Sequence, residues 1–232
     1  MEINRLEELL KKNEIVFHHV VPIDPSYKYL KLDFTASNKE LTDEMLSDTS
    51  LFSDYVDRKL GATNAEYGIG GYNEHRTIYS RSKVFDTGGE EPRRLHLGVD
   101  IWGKANTPVY APLNGIVHSF AFNNAYGDYG ATLILQHRVA NFIFHTLYGH
   151  LSLKSIQDKK EGQAIKAGEW VASFGKPQEN GHWPPHLHFQ IILDMQGMKG
   201  DYPGVCQYSE REKYLANCPD PDLILGMMKY AF

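Results

Sequence analysis

Gly181-His182-Trp183-Pro184-Pro185-His186-Leu187-His188-Phe189-Gln190-Ile191 is the stretch on which the reading of this chain turns. From His186 to Leu193 the sequence is apolar-rich and alternating, the pattern of a strand, in which side chains i and i+2 share a face. His186 and His188 therefore point the same way, while Leu187 and Phe189 point into the opposite layer. Two imidazoles side by side on one strand face are costly to bury without partners and well placed to address one metal ion. Taken alone, an H-x-H pair reads equally well as a half-exposed strand with two solvated histidines, so the choice falls to the rest of the chain.

With 232 residues the chain can form one sizeable domain, or one domain with a smaller appendage. The net charge of −5 and the lack of any Lys/Arg block argue against a dedicated nucleic-acid or anionic-membrane binder. No apolar run approaches the ~18 residues of a membrane span. Cys206 and Cys218 are the only cysteines and lack C-x-x-C spacing, so reduced thiols are expected. The N-terminus mixes acids with apolar residues and has no signal-peptide pattern. A cytoplasmic location is the expectation, with a periplasmic or cell-wall one if a leader has been removed.

Residues 3–11 place Ile3, Leu6, Leu9 and Leu10 at helical spacing. Ile15 to Val21 reads as a strand ended by Pro22, with His18 and His19 structural. Tyr29 to Thr35 alternates as a short strand. Ser37 and Glu40 form a capping-box pattern before a helix bearing Leu41, Met45 and Leu46. Leu51 to Leu60 is a second helical face, stopped by Gly61. Residues 1–67 are thus expected to form a mixed α/β, helix-containing appendage, and residues 68–232 a β-rich domain with a helical tail. From Gly68 onward short strands follow one another through turns, among them the Asn114-Gly115 hairpin signal, with no βαβ alternation. His118, His137 and His145 fall within such strands and read as packing or surface positions. The fold class is β-rich α+β, an antiparallel sheet core.

Three pieces carry chemistry. In His96-Leu97-Gly98-Val99-Asp100 a histidine and a carboxylate share one face of an extended segment, and Gly98 leaves room between them. Tyr148-Gly149-His150-Leu151 ends a strand. His186-Leu187-His188 is the third. Two histidine nitrogens and a carboxylate oxygen are a normal ligand set for catalytic zinc, leaving a position for water. Each piece alone is weak; together, and with Ala111-Pro112-Leu113-Asn114-Gly115-Ile116-Val117, they resemble the lysostaphin/LytM (beta-lytic) family of zinc metallopeptidases. The resemblance covers roughly residues 68–195.

That resemblance implies a LytM-like sheet with an open groove, and zinc as cofactor held by His96, Asp100 and His188. It implies His150 and His186 as the non-ligand catalytic pair, either of which can be the base. The implied activity is that of a metalloendopeptidase cutting peptide cross-links of peptidoglycan, or a related peptide or amide. The partner is then a peptide or peptidoglycan substrate, with no nucleic acid and no membrane span. Arg76, His182 and Trp183 are candidate substrate-binding residues. Gly-His-Trp-Pro-Pro departs from the small glycine-rich loop usual before the H-x-H strand and is expected to narrow one end of the groove. With the segments 200–206 and 218–222, it is also similar to a branch of peptidase-like modules fused to kinase-like and aminotransferase domains. The rival expectation is a non-catalytic binding or regulatory module that keeps the fold and the metal; an intact His150/His186 pair distinguishes the two, since a structural site requires neither.

Overall fold

Twelve strands occur among the described residues of the computed structural model, which are residues 2–12, 15–89 and 91–232. They are β1 (Tyr29–Lys31), β2 (Tyr67–Gly70), β3 (Leu95–His96), β4 (Val99–Trp102), β5 (Pro108–Tyr110), β6 (Gly115–Asn123), β7 (Gly130–Val139), β8 (Phe142–Leu151), β9 (Ala164–Ile165), β10 (Trp170–Ser173), β11 (His186–Ile192) and β12 (Val205–Cys206). Eight of them form one sheet in the order β1-β2-β4-β11-β8-β7-β6-β9. Every pairing in it is antiparallel except the parallel β1/β2 edge. β10 with β5 and β12 with β3 make two small ribbons. The expected β-rich, mainly antiparallel class is what the chain adopts.

The sheet's long inner strands read as near-continuous apolar runs because both faces are covered: β7 and β11 are buried along almost their whole length. One layer of packing joins Val99, Leu133, Phe144, Tyr148, Leu187 and Phe189. The other face carries a separate cluster around Phe34, Phe52, Trp102 and Trp183.

The N-terminal residues are woven into this body. Helix α1 (Glu2–Lys12) buries Leu6 and Leu10 in the same core as the central strands, and β1 hydrogen-bonds to β2. The packing therefore crosses the boundary expected at residue 67. Ile15 to Val21 forms no strand. It touches the β5 segment through His18 N to Pro112 O (3.0 Å) and Tyr110 N to Val20 O (2.9 Å), too sparse a contact for a ladder.

Two helices cross the face above Trp102; the first starts, and the second stops, elsewhere than expected. α2 (Asp43–Ser47) is capped by Thr42, whose hydroxyl accepts from Met45 N, not by Ser37. α3 (Thr49–Thr63) is capped by Asp48 and runs through Gly61 to Asn64, which adopts the left-handed conformation at φ 51°. Asn tolerates that conformation, so it ends the helix three residues beyond the glycine.

Candidate metal centre

Register places the site. His188 pairs with Asp100 across β11/β4, and His186 pairs with Trp102, so all four side chains share one face of the sheet. On the other side of β11, His188 faces Gly149, whose missing Cβ makes room for the Tyr129 ring. His96 arrives from the β3/β12 ribbon, opposite Val205. His96, Asp100 and His188 are brought together with ligand atoms within 4.8 Å of one another.

The three atoms form a tight triangle. His96 Nε2 lies 2.9 Å from His188 Nδ1, His188 Nδ1 lies 3.1 Å from Asp100 Oδ1, and His96 Nε2 lies 3.3 Å from that same oxygen. A tetrahedral zinc site with bonds of about 2.0–2.1 Å has ligand-to-ligand edges of about 3.3 Å. The tautomers follow from the outer partners. His96 Nδ1 donates to Gly71 O (3.1 Å), a carbonyl that can only accept. Gln190 Nε2 donates to Pro203 O (3.2 Å), which turns Gln190 Oε1 toward His188 Nε2 at 2.9 Å. Both outer nitrogens thus carry the protons and both inner nitrogens carry lone pairs. Two lone pairs and a carboxylate aimed at one point repel each other unless a cation lies between them. The donor set fits a divalent metal ion.

Electrostatics keep the donors in their metal-binding forms. Burial, with help from the Arg76 cation, pushes His96 down to about 3. Burial alone raises the Asp100 carboxyl, but the Arg76 cation bonded to it holds it well below the usual carboxylate range. Arg76 is fully buried behind Asp100, bonded to Asp100 Oδ2 through Nη1 and to Glu74 Oε2 (2.6 Å) through Nε. It does not line the groove as expected. Gly70, opposite Asp100 in β2, lets it lie there, since a Cβ at Gly70 would stand 2.8 Å from Leu32 O and 3.4 Å from the guanidinium.

His150 and His186 stand beside the triangle with ring centroids 4.1 Å apart. Between the pairs Leu133/Tyr148 and Ala131/Leu151, β8 has one residue more than β7, a bulge. His150 sits in it at φ 61°, a left-handed conformation that is strained for a non-glycine residue. The bulge re-aims its ring toward β11. His150 Nδ1 donates to Asn180 O (2.8 Å) and His186 Nδ1 to Pro184 O (2.7 Å), so each Nε2 carries the lone pair. Burial lowers both pKa values, that of His150 well below the ordinary range and that of His186 to about 4. Both are neutral bases at pH 7. His186 is further fixed by stacking on Trp102 at 3.8 Å.

A cavity of about 200 Å³ opens over the centre, walled by Tyr79, Phe85, Tyr129 and Trp183 and floored by the histidines. Trp183, expected at the groove, is 2% exposed and lines this wall. His182 does not line it; it is exposed and stacks on Tyr126 at 5.3 Å. Asn73 is exposed, and its backbone N–H bonds to His96 O.

Several contributors went unread in the sequence. Gln190 had a signal, since it is the next residue on the His186/His188 face. Glu74, Tyr129 and Asn180 had none. Asn180 holds Trp183 through both its amide groups and receives the His150 bond on its carbonyl.

Residues 94–199 match the profile of Peptidase family M23. This segment is similar to that peptidase family. The resemblance to the lysostaphin/LytM metallopeptidases, read from motifs that all lie within this segment, is borne out. The chain is 32% identical over 127 residues to an L-Ala–D-Glu endopeptidase of Bacillus subtilis, covering 51% of this chain and 36% of that protein. It is 35% identical over 101 residues to an uncharacterized metalloprotease of Haemophilus influenzae, covering 44% of this chain and 19% of that protein. The chain thus spans well under two thirds of either relative. Similar solved structures include a zinc-containing peptidase from Vibrio cholerae (26% identity, TM-score 0.34, 48% of this chain and 35% of that one). Another is lysostaphin from Staphylococcus simulans (24% identity, TM-score 0.42, 72% and 52%). Among the described residues no helix is long and apolar enough to cross a membrane.

Proposed function

We propose that this chain is a zinc-dependent hydrolase, a metalloendopeptidase acting on peptide cross-links of peptidoglycan or on a related peptide or amide. The observation that carries the reading is the convergence of His96 Nε2, Asp100 Oδ1 and His188 Nδ1, with the neutral pair His150 and His186 beside them. Two nitrogens and one oxygen suit zinc, and three protein ligands are the number found in catalytic zinc sites. Bound there, zinc supplies Lewis-acid polarisation of a carbonyl and lowers the pKa of water toward neutrality. The similarity to a named L-Ala–D-Glu endopeptidase supports the peptide substrate class.

The chain's own residues handle the proton. Hydrolysis joins the water oxygen to the acyl carbon, breaks the C–N bond and delivers a proton to the leaving nitrogen. His186 Nε2, held by its Nδ1 bond and by the Trp102 stack, accepts the proton that water gives up. His150, whose ring centroid lies 4.1 Å from that of His186, takes this same proton over on Nε2, presents the N–H to the oxyanion and passes it to the leaving nitrogen as the C–N bond breaks, so both histidines end neutral. The buried wall around them limits access of other water.

The test is mass spectrometry of purified peptidoglycan incubated with the zinc-loaded protein, beside a chelated sample and His186→Ala. Chelator-sensitive cleavage that falls about 10²–10⁴-fold in His186→Ala, with zinc retained, is expected. Full activity in His186→Ala would overturn the assignment.

A further inference from the structure

The cavity over the metal centre reaches solvent on one side and is walled on the other. Of the described residues that line it, Val84, Arg93, Asp128, Asp201 and Pro203 are partly or fully exposed, and all the rest are buried. The exposed ones form a single mouth. Arg93 donates to the Val84 carbonyl through Nη2. Burial raises the Asp128 and Asp201 carboxyls and the Arg93 cation pulls both back, so the three charges lie near one another at the opening.

The wall is Trp102 and Trp183, buried beside His186 with ring centroids 3.8 Å and 6.3 Å from it. Phe52 of α3 packs against both indoles, at 6.0 and 6.3 Å. Arg81 lies over the Trp183 ring at 4.5 Å, and its Nη2 is shared among Thr49 Oγ1, Tyr126 OH and the His182 carbonyl. Thr49 Oγ1, at the start of α3, also donates to the His182 carbonyl (3.0 Å), and Tyr126 OH donates to the carbonyl of Ser47, the last residue of α2 (3.2 Å). The loop that carries Trp183 is thus tied to α2 and α3, which precede the segment matched by the peptidase profile. With its aromatic packing on one side and its hydrogen bonds on the other, this wall leaves no passage for a chain.

An extended residue packed in a sheet takes up about 160 Å³. A cavity of about 200 Å³ therefore holds one residue, or two small ones, beyond the scissile bond. A peptide bound through its middle needs room on both sides of the reacting carbonyl, and here one side ends. We propose that α2 and α3 make this a chain-end site: a peptide enters through the mouth, sets its terminal residue against Trp102 and Trp183, and is cut beside that end, while internal bonds of a continuous chain are excluded. The proposal rests on the hydrolase reading given above and narrows its substrate class. The inserted residue is small or apolar, because apart from Asp100 of the metal centre the carboxylates and cations that line the cavity are at its mouth. An N-terminal and a C-terminal residue share this chemistry, and capped peptides separate them.

The zinc-loaded full chain is incubated with linear peptides of L-Ala, D-Ala, D-Glu and Gly, from tripeptide to decapeptide, uncapped, N-acetylated or C-amidated. A head-to-tail cyclic decapeptide of the same residues has no end to insert and serves as the comparison. Products are read by mass spectrometry with and without chelator. Chelator-sensitive cuts are expected within about two residues of one end at every peptide length, and the cyclic peptide is expected to be cut with kcat/KM at least about 100-fold below the linear decapeptide. Loss of cleavage on capping one end supports the closed site and identifies the end that enters. Calorimetry with zinc-loaded His186→Ala gives a readout apart from turnover: the linear decapeptide is expected to bind and the cyclic one not. Trp183→Ala, checked for zinc content, is expected to move the cuts inward and to admit the cyclic peptide; the cleavage pattern of the parent decides the matter where that variant fails to fold. Chelator-sensitive cleavage of the cyclic peptide at the linear rate, or cuts that leave tripeptides or longer on both sides, would overturn the closed end and leave the hydrolase reading standing. No chelator-sensitive cleavage of any peptide would overturn the hydrolase reading, and the chain-end site with it.

Discussion

Gly98→Ala is the smallest change expected to dismantle the metal centre. A Cβ built on Gly98 would lie 2.5 Å from His188 Cε1, 2.6 Å from His188 Nε2 and 2.8 Å from the Phe189 carbonyl oxygen. Ordinary carbon contacts are about 3.5–4.0 Å, so the His188 ring must withdraw by about 1 Å. The carbonyl cannot yield without shifting β11, whose register sets both His186 and His188. The ring cannot withdraw freely either, because Gln190 Oε1 holds its Nε2 at 2.9 Å and the rings of His96 and Tyr129 stand at 4.8 and 5.1 Å. A 1 Å displacement takes His188 Nδ1 out of the triangle and leaves two ligands of three. Changes merely outside the ligand set cost about 10–100-fold in metal affinity, so displacing a ligand should cost at least about 100-fold, near 2.8 kcal/mol. Overpacking adds about 1–3 kcal/mol of destabilisation. The assay is zinc competition against a chromophoric chelator, with thermal melts of the zinc-loaded and chelated forms. The expected variant melts lower and gains little from zinc. Zinc affinity within about threefold of the parent, a difference under about 0.7 kcal/mol, would refute the close-approach argument.

Arg76→Met removes a fully buried cation and strands the Asp100 and Glu74 carboxylates; urea unfolding of the chelated protein should show a loss of about 3–5 kcal/mol, and an unchanged midpoint would count against a structural role for the pair. Gln190→Leu frees the His188 ring to change tautomer, and zinc affinity should fall about 10–100-fold with the fold retained, as read by chelator competition and circular dichroism. His137, 1% exposed and remote from the metal centre, is pushed down by burial to about 4 despite its bond to Asn114 O. The native state therefore binds fewer protons than the unfolded chain between pH 4 and 6.5, so the contribution is intact above pH 6.5 and is lost as the pH falls toward 4. At pH 5 the loss is about 2 kcal/mol, and His137→Gln should reduce the pH 7-to-5 difference in urea stability by that amount; an identical difference in parent and variant would rule the histidine out as its source.

Alternation along residues 186–193 by itself determined that His186 and His188 share a face, because a strand repeats every two residues whatever surrounds it. The same local rule joined His96 to Asp100 and left Gly98 between them. Register was not local. That His188 lies opposite Asp100, and Trp102 opposite His186, depends on which strands pair, and residues 88 and 84 positions apart carry no mutual signal in one sequence. The helix limits were misread where two cap residues competed, Ser37 with Thr42 and Gly61 with Asn64, since tertiary packing selects among locally acceptable ends. Arg76, a candidate substrate-binding residue from the resemblance, is instead held by Glu74 and Asp100, carboxylates that only the fold brings to it. The sequence thus determined which residue types could bind a metal and share a face. Only the tertiary structure decided the bulge that turns His150 toward His186 and the partners that set each tautomer, because each of these is a contact between distant segments.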